Sequence, residues 1–256
     1  MLLEVQGAVV RFGGVRALNG VDLGIDRGMI HSLIGPNGSG KSTLFNVITG
    51  FCRPSAGSVR FAGKPLVGLP PHAVARLGIA RTFQNLRLFG GATALENVLI
   101  GQHCRARQGF WSAAVKAPAM IAEERRLQQR ALELLDFVGL RHKARELARN
   151  LAHGEQRLLE LARAMGMSPT VLLLDEPMAG MNPAETNRVM ETIRNIAGEG
   201  VAVVLVEHDM TAVMGCSQRI SVLNHGVKIA EGSPEQVRSD PLVIEAYLGK
   251  KSHRKD

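Results

Sequence analysis

The chain has 256 residues, of which 45% are hydrophobic and 21% charged, a balance typical of a globular protein with a sizeable core. No apolar run approaches the roughly 18 residues that a membrane-spanning helix needs, and the segment MLLEVQG lacks the features of a signal peptide, so we expect a cytosolic protein. The formal charge of +8 would suit nucleic acid, but aromatic residues make up only 4%, so we expect a solvated or membrane-facing basic surface and no nucleic-acid partner.

The N-terminal part of the chain alternates short strands with glycine turns. Residues 2–34 contain several β-type runs, and MIHSLIG (29–35) predicts a buried strand that ends in a glycine-rich turn. The segment LFNVITG predicts a helix that Gly50 ends. GSVRFAGKPL favours a pair of strands, and PPHAVARLGIA favours a short helix begun by prolines.

The rest of the chain predicts a helical insert and then a second set of strands. Residues 94–167 are helical in pattern, with a looser stretch at 108–118. The last third predicts the strand VLLLDE (171–176), a helix over PAETNRVMETIRNIAG, the strand VAVVLVEHD and a hairpin in RISVLNHGVKIAEG. Unbroken apolar runs such as VLLL and VAVVLV are typical of parallel strands buried on both faces. An α/β core interrupted by a helical insert follows.

A phosphate-binding loop is predicted at GPNGSGKST (35–43), which matches G-x-x-x-x-G-K-[ST] between a strand and a helix. Its glycines permit a tight turn whose backbone N–H groups face phosphate oxygens at the positive end of the helix dipole. Lys41 would neutralise the β- and γ-phosphates, and the Ser42 hydroxyl would ligate Mg²⁺. The expected nucleotide-binding residues of the loop are Gly35, Pro36, Asn37, Gly38, Ser39, Gly40, Lys41, Ser42 and Thr43.

Two adjacent carboxylates end the strand VLLLDE, where ligands sit in open α/β sheets. Asp175 is placed to hold the Mg²⁺ shell, and Glu176 to polarise the water that attacks the γ-phosphate. Taken alone, the pair could equally cap the next segment. Beside a phosphate-binding lysine, we expect the catalytic role.

The order of the remaining motifs distinguishes between classes of NTPase. Gln84 in RTFQNLRLF, the LAHGEQ stretch (151–156), Asp175 and Glu176, MAGMNP and His208 in VEHDM follow one another along the chain. This succession resembles the nucleotide-binding subunit of ABC transporters, whose signature motif is LSGGQ. The wording of ENVLIGQH, LAHGEQRLLELARAM and EGSPEQVRSDPLVIEAYLG is most similar to the ATPase subunits of branched-chain amino acid importers.

The resemblance implies a P-loop NTPase (RecA-like) fold with a parallel core, an antiparallel β subdomain and a helical insert subdomain. It implies one ATPase domain over residues 2–249 with a helical subdomain at about 90–168, and we expect a basic disordered tail at 250–256. The implied cofactors are ATP and Mg²⁺. The implied partners are a second ATPase subunit, identical or paralogous, membrane permeases and an extracytoplasmic solute-binding protein, with the chain on the inner face of the cell membrane.

The resemblance also assigns roles to single residues. Gln84 would touch Mg²⁺ and the attacking water, His208 would contact the γ-phosphate, and Phe12 would stack on adenine. In the dimer of this family the signature loop binds the ATP held by the opposite subunit, so these residues would act in trans: Ala152, His153, Gly154 and Glu155.

The LAHGEQ stretch departs from the family wording. Ala152 stands where the signature has Ser, His153 where it has Gly, and Glu155 where it has Gln. Asn182 replaces the Asp that is common in the loop after the Asp175–Glu176 pair. No Ser, Thr, Asp or Asn directly precedes the helix, and we expect Gly154 to be exposed, ready for the neighbour's phosphate.

Alternative functions remain at this point. A cytosolic ABC-type ATPase acting on DNA or ribosomes would suit the basic charge, but such proteins typically carry coiled-coil inserts, zinc hooks or two ATPase domains. A GTPase would need an N-K-x-D stretch, which the chain lacks. Within transporters, the ATPases of urea or short-amide import and of lipopolysaccharide export remain alternatives, because the transported molecule does not touch this subunit.

Overall fold

The computed structural model describes residues 1–82, 84, 87–103 and 118–248. The looser stretch up to residue 117 and the tail at 250–256 lie outside the described residues. The described strands are β1 (Leu3–Phe12), β2 (Val15–Ile25), β3 (Ile30–Ile34), β4 (Ala56–Phe61), β5 (Lys64–Pro65), β6 (Ile79–Arg81), β7 (Val171–Asp175), β8 (Ala202–Val206), β9 (Arg219–Asn224) and β10 (Val227–Gly232). The helices are α1 (Lys41–Ile48), α2 (Pro71–Leu77), α3 (Ala94–His103), α4 (Pro118–Phe137), α5 (His153–Gly166), α6 (Pro183–Gly198), α7 (Met210–Cys216), α8 (Pro234–Ser239) and α9 (Pro241–Leu248).

The larger sheet has six strands in the order β10-β9-β3-β8-β7-β6. All its neighbours are parallel except β10, which runs antiparallel to β9. Every residue of β7 and β8 is buried, as their unbroken apolar sequences predicted. Their register places Asp175 opposite Val206, so the carboxyl ends of both strands reach the same edge of the sheet.

A smaller antiparallel sheet has the order β2-β1-β4-β5. Its apolar face shares one core with α1 and with the underside of the larger sheet, where Phe45 is fully buried. A second core lies on the opposite side, between the larger sheet and the helices α3 to α6. The parallel core, the antiparallel sheet and the helical insert are therefore as the sequence predicted.

The boundaries differ from the sequence prediction at two places. The helix expected over PPHAVARLGIA ends at Leu77, because Gly78 adopts a left-handed conformation with φ 110°, and Ile79–Arg81 then pair with β7. The strand expected over VAVVLVEHD ends at Val206. Asp209 then caps α7 by accepting hydrogen bonds from the amides of Thr211 and Ala212.

Among the described residues, no helix is both long and apolar enough to cross a bilayer.

Candidate active site

The phosphate-binding loop joins β3 to α1 and depends on its glycines. Gly35, Gly38 and Gly40 all have positive φ angles. A Cβ on Gly35 would lie 2.0 Å from the carbonyl oxygen of Leu223, and one on Gly40 would lie 2.7 Å from that of Ala17. No side chain caps the N-terminus of α1. The backbone N–H groups at a helix N-terminus are suited to binding an anion.

Lys41 is the first residue of α1 and is buried beneath this loop. Its Nζ donates hydrogen bonds to the carbonyl oxygens of Gly35 at 2.7 Å and Pro36 at 3.0 Å. Burial lowers the pKa of Lys41, while the carboxylates of Glu176 and Asp175 oppose that shift. The ammonium group is thus positioned between the loop and the two carboxylates at the C-terminal end of β7, Asp175 and Glu176.

The other predicted loop residues differ in their exposure to solvent. Ser42 is exposed and Thr43 half-buried at the start of α1, and Asn37 and Gly38 are exposed at the tip of the loop. Ser39 is buried. Phe12 lies at the end of β1, where its side chain is 56% exposed and open to a flat ligand.

Asp175 ends β7 and is buried in an ion pair that the sequence did not predict. Its Oδ2 lies 3.1 Å from Nη2 of Arg81, at the end of the neighbouring strand β6. Arg81 also donates to Oδ1 of Asn46 at 2.7 Å, and its guanidinium lies over the ring of Phe45. The carboxylate is therefore held in one orientation by Arg81, the first residue of the RTFQNLRLF stretch, to which the sequence analysis assigned no role.

Glu176, Gln84 and His208, whose roles the family resemblance implied, lie together in the structure. Nε2 of Gln84 donates to Oε2 of Glu176 at 2.9 Å, and Nε2 of His208 lies 2.6 Å from Oε1 of the same carboxylate. Glu176 has a φ of 50°, a conformation that costs energy for any residue but glycine. Three polar side chains from separate segments thus meet at the edge of the sheet beside Lys41.

Glu207 holds the backbone on both sides of the cluster formed by Glu176, Gln84 and His208. It is buried, and its carboxylate accepts hydrogen bonds from the amides of Met178 at 2.8 Å and His208 at 3.2 Å. Burial raises the pKa of Glu207, and these backbone amides oppose that shift. The residue ties the segment after β7 to the segment after β8, which fixes Glu176 and His208 relative to one another. Sequence reasoning gave Glu207 no role. Its position as an acidic residue directly after the apolar strand VAVVLV is the feature that could have indicated one.

The signature loop corrects one prediction, because Gly154 is buried and not exposed. A Cβ at Gly154 would lie 2.8 Å from Oε1 of Glu185, so the glycine admits the close approach of α6. Ala152 and His153, by contrast, are exposed at the start of α5. These two residues present the accessible side chains of the loop.

The start of α5 is capped from within the helix. Oε2 of Glu155 accepts a hydrogen bond from the amide of Ala152 at 3.1 Å. The same carboxylate pairs with Nζ of Lys143 at 2.6 Å and 2.7 Å, and this bond lowers the pKa of Glu155. The acidic residue that replaces the family's Gln therefore closes half of a capping box.

Asn182 provides a normal helix cap despite replacing Asp. Its Oδ1 accepts hydrogen bonds from the amides of Ala184 and Glu185, both at 3.0 Å. Asn and Asp are nearly equal at this position of a helix. The substitution therefore preserves the start of α6.

The residues present fit a nucleotide with a divalent cation. Within the described residues, no group of His, Cys, Asp or Glu side chains could hold a metal ion by itself. Mg²⁺ typically binds through one or two carboxylates together with substrate phosphates, which suits Asp175 and the exposed Ser42 beside a phosphate-binding loop. The geometry therefore suits phosphoryl transfer with a polarised water at Glu176.

Two family models match the chain. The model described as ABC transporter matches residues 18–179, and the model described as branched-chain amino acid ATP-binding cassette transporter matches residues 227–253. The chain is 47% identical over 249 residues to the high-affinity branched-chain amino acid transport ATP-binding protein BraF of Pseudomonas aeruginosa, which covers 97% of this chain and 98% of that protein.

Solved structures agree with the sequence matches. The ADP conformation of an ATP-binding cassette of an ABC transporter has a TM-score of 0.84 and 32% identity, covering 97% of this chain and 99% of that chain. A dimeric post-hydrolysis state of another ATP-binding cassette, bound to ADP and Pi, has a TM-score of 0.75 and 27% identity, covering 91% of this chain and 99% of that chain.

Proposed function

The chain belongs to the ABC transporter family as a nucleotide-binding ATPase subunit, and on that premise we propose that it energises the uptake of branched-chain amino acids through membrane permeases. The sequence resemblance and the P-loop NTPase fold are confirmed. The substrate class is supported by the identity to BraF and by the match of the C-terminal region to a branched-chain amino acid model.

The convergence of Gln84 and His208 on Glu176 carries the proposed mechanism. Glu176 would act as general base for the attacking water, and His208 would hold that carboxylate and contact the γ-phosphate. Lys41 would leave its loop carbonyls for the β- and γ-phosphates. Mg²⁺, when bound, would neutralise developing phosphate charge, with Ser42, Gln84 and Asp175 as the residues that hold it.

The complete site would join two subunits. Gly35 to Thr43 would cradle the phosphates of one ATP and Phe12 its adenine, while Ala152, His153, Gly154 and Glu155 of the opposite subunit would approach the γ-phosphate. The dimeric cassette bound to ADP and Pi supports such an arrangement. Gly154 would contribute through its backbone, because α6 covers the position of any side chain.

Closure of this dimer around ATP would pull on permeases docked near Gln84. We propose that the chain acts as one domain over residues 2–249 with a helical subdomain at about 90–168, bound to the inner face of the membrane. The solute-binding protein of the same system would lie on the opposite, extracytoplasmic side of the membrane.

Reconstitution tests the substrate class. The subunit, its permeases and the binding protein would be placed in proteoliposomes, and ATP turnover would be measured with leucine, isoleucine, valine or urea. Stimulation by the three branched-chain amino acids alone is expected. Stimulation by urea alone would contradict the proposed cargo while leaving the ATPase mechanism intact.

A further inference from the structure

Helix α5 holds the loop of Gln84 through buried charged side chains. Nη2 of Arg157 donates a hydrogen bond to the carbonyl oxygen of Gln84 at 2.8 Å. Nη1 of the same guanidinium donates to Oε2 of Glu160 at 3.1 Å. Arg157 is only 4% exposed and Glu160 only 2%, so both charges lie in the interior.

A second arginine completes this group. Arg163 lies on the same side of α5, with Nη2 3.9 Å from Oε1 of Glu160, and its Nη1 donates to the carbonyl oxygen of Arg87. The amide of Arg87 in turn faces the Glu160 carboxylate. Residues three apart share a helix face, so Arg157, Glu160 and Arg163 form one row along α5. We call these three side chains the α5 clamp.

The cost of burying this group argues against a role in stability alone. Buried arginine–carboxylate groups are expensive to desolvate, and apolar residues of similar volume often stabilise a protein as well or better. The clamp directs both guanidinium groups to main-chain carbonyls at residues 84 and 87. These carbonyls lie on either side of the short segment that follows Gln84, whose side chain reaches Glu176.

We propose that the α5 clamp is a positioning device that makes Gln84 follow the motion of α5, and so links the signature loop of a chain to the catalytic carboxylate of the same chain. This inference rests on the proposed function for the roles of Gln84 and the signature loop. Ala152 caps α5 and His153 is its first residue, and both would meet the opposite subunit's ATP. A shift of α5 when the dimer closes would therefore move the main-chain carbonyl of Gln84. The side-chain amide of Gln84, which contacts Glu176, would move with it.

Removal of the clamp without loss of the fold is the appropriate test. Arg157→Met with Glu160→Leu replaces the paired charges by apolar side chains of similar size, which buried sites tolerate. In the full chain we expect kcat for ATP to fall about tenfold to a hundredfold while KM changes less than about twofold, because misplacement affects the transition state. The single variant Arg157→Lys should have a higher kcat than the single variant Arg157→Met, because lysine can still donate a hydrogen bond to the carbonyl oxygen of Gln84.

A matched control is available on α4. Arg130 and Glu133 form an ion pair with the same spacing, but their side chains are 56% and 47% exposed. Arg130→Met with Glu133→Leu should leave kcat unchanged. An equal loss of kcat in the control pair would contradict a specific role for the clamp.

A double-mutant cycle with Gln84→Ala separates positioning from general damage. If the clamp acts through Gln84, its removal should change kcat less than about twofold in the Gln84→Ala background. The same fold loss in both backgrounds, or no loss in either, would overturn the proposal. Gln84→Ala without effect on kcat would instead contradict the proposed role of Gln84 itself.

The position of the loop can also be measured without catalysis. A spin label on Gln84→Cys, with the native cysteines replaced by serine, should become more mobile when the clamp is removed and stay unchanged in the α4 control. This measurement does not depend on the catalytic roles proposed for Gln84 and Glu176. An unchanged spectrum in the clamp variant would therefore overturn the proposal.

Discussion

Asp175 and Arg81 form an ion pair at the edge of the larger sheet, with Oδ2 and Nη2 3.1 Å apart and each side chain 9% exposed. Arg81 therefore neutralises the carboxylate in the absence of a cation. If Asp175 holds the Mg²⁺ shell, Arg81 and the cation compensate the same charge. The stability contributed by Arg81 should then depend on whether Mg²⁺ and nucleotide are bound.

Arg81→Met tests this relationship. Without ligand, the variant leaves Asp175 buried and unpaired, and we expect a loss of about 3 kcal/mol of unfolding free energy. With ADP and Mg²⁺ the loss should be smaller, because the cation replaces the guanidinium. Chemical denaturation with ADP, with and without Mg²⁺, measures the difference, and Arg81→Lys is the charge-preserving control. An identical loss in both conditions would mean that Arg81 has only a structural role.

Glu176→Gln should retain nucleotide binding and lose hydrolysis. The amide preserves a contact with Gln84 or His208 but cannot accept the proton of the attacking water. We expect kcat to fall at least about a hundredfold, within the usual range for a general base. Direct ATP titration should give an affinity close to that of the unchanged chain. A normal turnover rate would refute the role of Glu176.

Lys41→Ala should weaken nucleotide binding itself. The ammonium group lies between the loop carbonyls and the carboxylates, where a phosphate would bind. We expect the Kd for ATP·Mg²⁺ to rise at least about tenfold, since a charge-assisted hydrogen bond is lost. Calorimetric titration measures this change, and the exposed Lys64→Ala serves as the matched control. Equal affinities in the two variants would contradict the phosphate-binding assignment.

Buried His31 predicts loss of stability in mild acid. The pKa of His31 is lowered from 6.5 to about 4, mainly by burial; Arg219 and Lys228 contribute to the lowering, and Glu231 and Asp26 oppose it. The unfolded chain therefore takes up this proton first, and stability falls as the pH drops from about 6.5 towards 4. The shift corresponds to about 3 kcal/mol.

His31→Gln should flatten this part of the stability curve. The amide can keep a hydrogen bond to Ser221, whose Oγ lies 2.8 Å from Nε2 of His31, but it does not titrate. Unfolding free energies at several pH values between 4 and 7 measure the slope. The exposed His142→Gln should leave the slope unchanged. An unchanged slope in His31→Gln would assign the acid sensitivity to other groups.

Local sequence patterns predicted the parts of this fold that depend on residues close together in the sequence. The phosphate-binding loop, β7 and β8 follow from short contiguous segments, although β8 is shorter than the strand expected over VAVVLVEHD. The strand β6 was missed because its three residues gain their stability from pairing with β7, far along the chain. The same reason applies to Arg81, which meets a carboxylate 94 residues away.

The burial of Gly154 shows a second limit of sequence reasoning. A glycine in a polar loop suggested an accessible turn, but its environment is set by Glu185 on α6. Glu185 also accepts a hydrogen bond from the amide of Asn182 at 3.1 Å, so its side chain is held in place. No pattern within the signature loop indicates that a helix from another segment covers it.

This packing determines which variant tests the role of the signature loop. Gly154→Asp would place a carboxylate against Glu185 as well as against a phosphate, so a failure to dimerise could reflect local damage. His153→Asp avoids the conflict, because His153 is exposed. An acidic residue in the first turn of a helix is stabilising by about 0.3–1 kcal/mol, so the melting temperature should stay the same or rise.

His153→Asp in the Glu176→Gln background should bind ATP as a monomer and fail to form the dimer that this background would otherwise trap. The new carboxylate would face the γ-phosphate held by the opposite subunit, and like charges in a closed interface cost several kcal/mol. Size-exclusion chromatography with ATP·Mg²⁺ and a melting curve measure both properties. His142→Asp, an exposed substitution before α5, should dimerise normally. A well-folded His153→Asp variant that still dimerises on ATP would show that this side of the loop does not form half of a neighbour's active site.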